Sequence, residues 1–444
     1  GISAKTKHNE VPPAQHELAP VFTSANIATD HNQLTMETMK KVAWRHNLCC
    51  LLHEKPFAGL NGSGKHNNWS MSTDDGINLL NPGRTPHENA QFLVFLCAVI
   101  KAVDEYADLL RVSIASAGND HRLGANEAPP AIISVYLGDE LTSILEQIEE
   151  GNVQNTNNTK EVIQIGVTTL PVLPKDTTDR NRTSPFAFTG NKFEFRMLGS
   201  SDSIACCSYI LNTAVADAIS QIADRLEKAD DFNKELNNVL KDIIKKHKRI
   251  IFNGNNYSEE WVEEAKRRGL PNIQSTVEAI PALIAEKNVK LFEKHKILSK
   301  TELESRYEIL LENYTKTINI EALAMLEISN RQIIPAVIRF ATRVADSINS
   351  IKATGIDADI SAQTEILKEV SSLAASLKKR TSELEKTLSE AELQKGDSYK
   401  LASYYRNMVF AKMNELRAVA DKLETIVDSD LWPMPTYGDL LYNI

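Results

Sequence analysis

Cysteine is scarce in this chain and poorly placed for cross-linking. The 444 residues include five cysteines, and four of them form the adjacent pairs Cys49 with Cys50 and Cys206 with Cys207. An odd number of cysteines without C-x-x-C spacing argues against both a disulfide framework and a common type of zinc site. We therefore expect reduced thiols, as in a cytoplasmic protein.

Long apolar runs and a basic excess are also missing. The longest fully apolar run, residues 92–100, is too short to cross a bilayer, and the first residues contain no apolar signal-peptide core. The net charge of -9 argues against a general nucleic-acid binder. The sequence thus predicts no membrane or nucleic-acid partner. A polar segment with candidate site residues begins within ten residues of Gly1. We therefore also expect the natural amino terminus to lie upstream.

The composition and the hydrophobic periodicity of the chain change near residue 200. Residues 1–200 carry most of the Gly, Pro, Asn and His punctuation and only short periodic stretches, such as residues 131–137, which predicts a mixed α+β domain with long loops. Residues 201–444 are predicted to be a helical region. Within it, the run Asn-Gly-Asn-Asn at residues 253–256 ends one amphipathic helix.

An apolar stripe of heptad-like spacing predicts a long helical hairpin near residues 362–427, with its turn at Gly396. Such a hairpin could bind a partner as a coiled coil. We favour the alternative that it packs on its own domain.

Residues 59–65 fit the pattern G-x-x-x-x-G-K, but we reject a P-loop. His66 occupies the position that needs a Ser or Thr hydroxyl for magnesium, and the preceding residues are polar and broken by Pro56. The glycines can still bring backbone N–H groups close to a ligand, and His66 can offer a neutral imidazole to a metal.

Four segments carry the residues suited to chemistry. In the first, Glu10 and Glu17 flank Pro12 and Pro13, and a turn there could bring both carboxylates to one cation, although two exposed acids are an alternative. The second is the glycine-rich loop that ends at His66.

The third segment, residues 119–130, has Arg122 and Glu127 five apart and ends in two prolines. The fourth carries Arg182 and the strand-like residues 192–196, in which Glu194 and Arg196 face one way and the phenylalanines the other. A surface salt-bridge ladder is the alternative for this last segment.

Together these segments resemble the glutamine synthetase family. Residues 61–66 match its N-G-S-G-x-H loop, residues 10–17 its E-V-x-P-x-Q-x-E stretch, residues 122–129 its arginine-to-E-A-P flap, and residues 192–196 its basic-x-E-x-R strand. The type III branch is the most similar, given the His-Glu-Lys-Pro before the loop and the long helical tail. The resemblance implies an α+β glutamine synthetase/guanidino kinase-like catalytic domain, with a curved antiparallel sheet and helices, in residues 1–200. The helical C-terminal region follows it.

The resemblance also implies an activity: phosphorylation of the γ-carboxylate of glutamate by ATP, and displacement of the phosphate by ammonia to give glutamine. ATP and two Mg²⁺ (or Mn²⁺) ions are the implied cofactors. Metal ligands are implied at Glu10, Glu17, His66 and Glu194. The implied catalytic residues are Glu127, as the base for ammonium, and Arg122, Arg182 and Arg196. The implied binding residues are Asn61, Gly62, Arg122 and Arg196 for glutamate, and His66, Ser70, Arg182 and Lys192 for ATP.

Some family features do not match. Ala187 stands where the family often has an arginine, and Asn68 where the type I pattern has a second histidine. No E-x-E strand or β-grasp domain precedes Glu10, so we expect little or no synthetase activity from this chain alone. A ring-shaped homo-oligomer with sites between subunits is also implied. The open alternatives are another γ-glutamyl-amine ligase of this fold and a catalytically incomplete regulatory paralogue that binds nucleotide.

Overall fold

The computed structural model describes residues 1–10, 14–54, 64–123, 130–151, 162–163, 173–174, 181–394 and 396–435. They divide into two compact units, Gly1–Glu304 and Ser305–Ile444. Nothing tests the predicted division at residue 200, which stays a prediction. The helices that directly follow residue 200 pack within the first unit.

The first unit begins with an antiparallel hairpin of β1 (Ala4–Asn9) and β2 (His16–Pro20). The Glu10 N–H donates to the Gln15 carbonyl oxygen at 2.9 Å, which continues the pairing one step towards the turn. The hairpin leads into α1 (Ala25–Arg45), of which only Met36 is buried.

A four-stranded sheet forms the centre of the first unit, in the order β3, β8, β7, β4. The pairs β3–β8 and β7–β8 are antiparallel, whereas β4 and β7 are parallel. The long connection between β4 and β7 allows this parallel pair, because parallel strands need a crossover. The strands are β3 (Lys65–Trp69), β4 (Val135–Tyr136), β7 (Phe186–Phe188) and β8 (Phe193–Leu198), while β5 (Val162–Ile163) pairs separately with β6 (Leu173–Pro174).

One face of this sheet is an aromatic core. Phe186 stacks on Phe193 with ring centroids 4.9 Å apart, and Phe195 and Phe188 meet the same pair edge-on. All four rings are buried. The predicted alternation along residues 192–196 is therefore observed, with the phenylalanines inward and the charged side chains on the other face.

Helices cover the sheet. Asn89 caps α2 (Ala90–Glu105) by accepting the Phe92 N–H, and a short 3₁₀ turn that begins at Pro86 directly precedes it. Buried α2 packs against α6 (Ala205–Glu227) and α7 (Phe232–His247). The remaining helices of this unit are α3 (Ala107–Val112), α4 (Ala117–Asp120), α5 (Asp139–Glu150), α8 (Glu259–Arg267), α9 (Thr276–Ala279) and α10 (Glu286–Lys294).

The second unit is made of long helices. Two π-helical turns interrupt them, at Ser329–Ile333 and at Tyr405–Val409. Pro335 follows the first turn, and because it lacks an N–H it cannot continue the regular i to i−4 bonding. The helices are α11 (Lys300–Ile328), α12 (Ile334–Ala353), α13 (Ser361–Ala391), α14 (Ser398–Tyr404) and α15 (Phe410–Glu424).

Within the second unit, α13 packs against both α12 and α15. Val370, Leu377 and Leu384 of α13 are fully buried at the spacing that the stripe predicts. The region predicted as a hairpin is thus α13 followed by α14 and α15. In the described part of the chain, no helix combines the length and apolarity needed to span a membrane.

Candidate active site on the polar face of the sheet

The polar face of β3 and β8 gathers the fourth segment and the end of the glycine-rich loop. Asn68 pairs with Glu194, and the register shifts at His66, between Lys65 and Asn67. Because side chains alternate along a strand, His66 and Asn68 share the face of Glu194 and Arg196, opposite the aromatic core.

Gly64 explains why a glycine precedes this strand. A Cβ atom at Gly64 would lie 1.8 Å from the Leu198 carbonyl oxygen and 2.9 Å from Nη1 of Arg122. Only a residue without a side chain allows this approach to the end of β8. Lys65 then starts a strand, not a helix, which agrees with the rejection of a P-loop.

Glu194 is held by cations and a hydroxyl. Its Oε2 accepts from Nη2 and Nε of Arg196 at 3.0 and 3.2 Å, and its Oε1 accepts from Oγ1 of Thr189 at 3.0 Å. Burial alone would raise the pKa of Glu194, but the hydrogen bonds and charge of Arg196 outweigh burial and lower the pKa. Glu194 is therefore an anion at neutral pH, and Lys192 adds a second positive charge 3.8 Å away.

His66 is an exposed residue, yet nearby protein desolvates its ring. Desolvation by this protein lowers the pKa of His66 to about 4, and the positive charge of Arg196 contributes in the same direction. Glu194 and, more weakly, Glu10 oppose the shift. The imidazole is thus neutral at physiological pH, which is the form that binds metals.

Arg122 lies beneath this face and is 2% exposed. Its Nη2 donates to the Arg196 carbonyl oxygen at 2.6 Å, and its Nη1 donates to the Leu198 carbonyl oxygen at 3.1 Å. The guanidinium therefore braces β8. The predicted contact of Arg122 with the substrate carboxylate stays a prediction.

Two further predicted site residues are Ser70, which follows β3, and Arg182, which precedes β7. Ser70 donates from Oγ to the Asn191 carbonyl oxygen at 2.8 Å, which ties β3 to the turn that carries Lys192. Arg182 is exposed, at the start of the segment that leads into β7. Ala187 pairs with Glu194 and is fully buried, so no cation extends from this position.

The pairing register of the first hairpin puts Glu10 and Glu17 on one face. Asn9 pairs with His16 and the next step joins Glu10 to Gln15, so the two carboxylates are diagonal neighbours across the strands. The two carboxylates can reach one cation only if the chain turns between them, as the sequence analysis assumed. The weak charge interaction of Glu10 with His66 connects the hairpin to the polar face.

Three predicted site residues, Asn61, Gly62 and Glu127, lie outside the described residues. Within the described ranges, no three His, Cys, Asp or Glu side chains converge as a metal site would require. The donor types at His66 and Glu194, a neutral imidazole and an anionic carboxylate, suit a divalent cation. His66 and Glu194 therefore suit two of the ligand positions of such a cation, and they do not complete its site by themselves. The predicted roles of the site residues stay predictions.

Sequence reasoning missed Glu54, which is 2% exposed and lies five residues before Gly59, the first residue of the glycine-rich loop. Its Oε1 accepts the Ser200 N–H, just beyond β8. Glu54 also raises the pKa of Asp202, although burial of Asp202 is the larger cause. The only signal in the sequence was an acid beside the loop, within the His-Glu-Lys-Pro run.

Two protein-family models match the chain. The model described as "Glutamine synthetase, catalytic domain" matches residues 1–134, and the one described as "Glutamine synthetase C-terminal domain" matches residues 235–352.

Curated proteins match over the whole chain. A protein of Butyrivibrio fibrisolvens named "Glutamine synthetase" is 48% identical over 100% of this chain and 63% of its own length. A protein of Dictyostelium discoideum named "Type-3 glutamine synthetase" is 46% identical over 100% of this chain and 61% of its own length. The chain thus spans less than two thirds of these relatives.

Among solved structures, one titled "Apo GmaS without ligand" is similar with a TM-score of 0.43 and 17% identity. The match covers 71% of this chain and 56% of that one.

Proposed function

Because this chain belongs to the glutamine synthetase family, we propose that it supplies most of the active site for ATP-dependent ligation of ammonia to L-glutamate. The reaction passes through γ-glutamyl phosphate and yields L-glutamine, ADP and phosphate. One observation carries the proposal. The chain aligns along its whole length with a glutamine synthetase at 48% identity, and three of its motif residues, His66, Glu194 and Arg196, share one sheet face.

The charges on this face suit a phosphoryl-transfer site. Arg182 and Lys192 are the cations with the most access to solvent, and we assign them to the phosphates of ATP. His66 and Glu194 are candidate ligands of a divalent cation, with Glu10 and Glu17 as ligands from the hairpin. A bound cation would neutralise charge on the phosphates and on the carboxylate.

The two buried arginines act mainly on the protein itself. Arg196 holds Glu194 in its anionic form, and Arg122 keeps the end of β8 in place. Both leave positive charge beneath the site, where it favours the extra negative charge of the transition state. Glu127 is proposed as the base that takes a proton from ammonium, and Asn61 and Gly62 as contacts for glutamate.

The same family relationship supports three broader proposals. The cofactors are ATP and two Mg²⁺ or Mn²⁺ ions. The working protein is a ring-shaped homo-oligomer with sites between subunits. Its location is cytoplasmic, which agrees with five cysteines that form no disulfide bonds with one another.

The test is a ligation assay in two forms of the protein. One form is this chain, and the other is a chimera that adds the parts of the Butyrivibrio relative that the chain does not span. Each form receives glutamate, ATP, magnesium and either ammonium or ethylamine, and glutamine, ethyl-glutamine and phosphate are measured. We expect the chimera to form glutamine and phosphate in equal amounts, and the chain alone to be nearly inactive.

Variants assign the activity to this chain. Glu194→Gln in the chimera is expected to lower kcat on the order of a hundredfold or more, because a proposed anionic ligand of the divalent cation that neutralises the phosphates is lost. Lys246→Ala, an exposed residue on α7, is the control and should leave activity unchanged. Preference for ethylamine would identify a different γ-glutamyl-amine ligase. Nucleotide binding without any ligation in the chimera would contradict the proposal and favour a regulatory paralogue.

A further inference from the structure

The turn at residues 253–256, which the sequence marks only as the end of a helix, lies next to the candidate active site. It follows Phe252, whose N–H donates to the Val135 carbonyl oxygen at 2.9 Å, so it is attached to the edge of the sheet beside β4. It is in position to contact the segment that carries Arg182.

Aromatic and cation–π packing supports the turn through Phe252, the residue that precedes it. The Phe252 ring stacks on Trp261 with centroids 3.8 Å apart, and the Arg268 guanidinium lies over both rings. A Cβ atom at Gly254 would lie 2.6 Å from Cζ of Phe252, so a glycine is needed where the ring folds against the turn. Trp261 is 1% exposed, which makes this support part of the core.

The asparagines of the turn use their polar atoms within the fold. Asn253 accepts the N–H groups of Leu137 and Gly138 at 3.2 Å each. Asn256, fully buried, accepts from Oγ of Ser134 at 2.6 Å. The turn therefore has a fixed position relative to β4 and the start of α5.

Asn181 connects this turn to the site. Its Nδ2 donates to the carbonyl oxygens of Asn253 and Gly254 at 3.1 and 2.7 Å. Its Oδ1 accepts from the N–H and Oγ1 of Thr183 at 3.0 and 2.6 Å. Oγ1 of Thr183 in turn accepts the Asn256 N–H at 2.9 Å. Four hydrogen bonds thus hold the Asn181 side chain, and a fifth joins Thr183 to the turn.

The Asn181 backbone passes this constraint to Arg196. Nη1 of Arg196 donates to the Asn181 carbonyl oxygen, while Nη2 and Nε donate to Glu194. Nη1 also donates to the Ser184 carbonyl oxygen at 3.4 Å. Arg196 is 6% exposed, so its direction depends on these partners and not on solvent.

We propose that Asn181, clamped through Thr183 to the turn at residues 253–256, is a positioning residue that aims the Arg196 guanidinium at Glu194 and sets the base of Arg182. The clamp acts through the backbone, and no atom of Asn181 needs to touch the substrate. This inference rests on the proposed function for its catalytic meaning, but its geometric part can be tested without turnover.

The test observes Arg196 directly. The chain is labelled with ¹⁵N-arginine, and the Nε–H resonance of Arg196 is assigned by its loss in Arg196→Lys. In Asn181→Ala and Thr183→Val this resonance should shift, and its hydrogen exchange should become roughly tenfold faster, as for the loss of one hydrogen bond. Thr183→Ser keeps the hydroxyl and should restore the wild-type signal.

Asn255→Ala is the matched control. Asn255 is exposed in the same turn and accepts only the Tyr257 N–H among the described contacts of its side chain, so its removal should leave Arg196 unchanged. An unchanged Arg196 signal in a folded Thr183→Val variant would overturn the inference, and so would an equal change in Asn255→Ala or a failure of Thr183→Ser to restore the signal. If Asn181→Ala does not fold, the comparison of Thr183→Val with Thr183→Ser decides the test.

The activity readout separates the two proposals. In an active chimera, Thr183→Val should lower kcat/KM for glutamate on the order of tenfold while Thr183→Ser recovers it. An inactive chimera with the expected Arg196 response contradicts the proposed function and leaves the clamp intact. An active chimera in which the Arg196 signal does not respond contradicts the clamp and leaves the proposed function intact.

Discussion

The two units of this chain bury different kinds of side chain. Twenty of the 23 buried polar or charged side chains described lie in Gly1–Glu304, and all eight ionisable ones among them are there. The three in Ser305–Ile444 are hydroxyls, Ser329, Thr381 and Thr387. The first unit is thus specified by polar partners and the second by apolar periodicity.

The difference has a physical cause. A buried charge is tolerated only when fixed partners replace its water, so each one constrains the segments around it. A buried hydroxyl on a helix can use a carbonyl of its own helix, as Thr381 does with Leu377 and Thr387 with Glu383. The first unit therefore holds loops in defined places, which a binding site requires, while the second needs only the packing of its helices.

The largest expected effect is in the apolar unit. Leu384→Ala removes a fully buried side chain between helices and should cost about 2–5 kcal/mol of the free energy of unfolding. Urea unfolding followed by circular dichroism measures it. Leu393→Ala, at an 81% exposed position, is the control and should change little. Equal losses in both variants would mean that the stripe does not specify this unit.

A buried charge in the first unit should come next. Asp217 accepts from Lys294, His295 and Gln221 at 2.6, 3.0 and 2.7 Å. Asp217→Asn should cost about 1.5–3 kcal/mol at pH 7, because hydrogen bonds to a charged acceptor are lost. Tryptophan fluorescence during urea unfolding measures it, since three of the four tryptophans lie in this unit. Asp230→Asn, at an exposed position, is the control.

The same substitution predicts a pH dependence. Burial would raise the pKa of Asp217, but the hydrogen bonds from Lys294, His295 and Gln221 outweigh it and lower the pKa below 3.8. The carboxylate therefore stabilises the fold fully above the unfolded-state pKa, and this contribution disappears as pH falls through the lower folded-state value. Wild type should lose stability below about pH 4 more steeply than Asp217→Asn. Parallel pH curves would show that this network carries no such linkage.

A smaller effect is expected where the loop meets the sheet. Gly64→Ala forces a methyl group against the Leu198 carbonyl oxygen and should cost about 1–3 kcal/mol. Gly118→Ala serves as the control, because its methyl group would lie 3.3 Å from Oε2 of Glu54, within a helix that favours alanine. Urea midpoints of the two variants are compared. A neutral Gly64→Ala would mean that β3 and β8 can separate without loss.

The smallest effect tests the hydroxyl pair of the second unit. Oγ of Ser329 and Oγ1 of Thr381 are 2.8 Å apart and buried. Thr381→Val should cost about 1 kcal/mol because it leaves the Ser329 hydroxyl without this partner. The double variant Ser329→Ala with Thr381→Val should recover most of that loss. A double variant less stable than Thr381→Val would mean that this pair specifies its unit in the way that the polar networks specify the first unit.

Sequence reasoning worked best where one period governs a segment. The apolar stripe near residues 362–427 predicted long helices where α13 lies, and the alternation at residues 192–196 predicted the two faces of β8. It worked less well at element ends. Of the periodic stretch 131–137 only residues 135–136 form a strand, and α2 begins after Asn89, which caps it. Caps and cross-strand partners decide such boundaries, and they depend on neighbours that a local pattern does not contain.

The sequence by itself indicated the resemblance to glutamine synthetases, the α+β class with a helical C-terminal region, and the residue types that suit phosphoryl transfer, because motifs and periodicities are local. Tertiary structure alone decided which side chains meet. It turned Arg122 towards the backbone of β8, buried Glu54 against the Ser200 N–H just beyond β8, and connected Asn181 to a turn more than seventy residues away. Hydrogen bonds of this kind follow from the path of the chain in space, and no spacing in the sequence encodes that path directly.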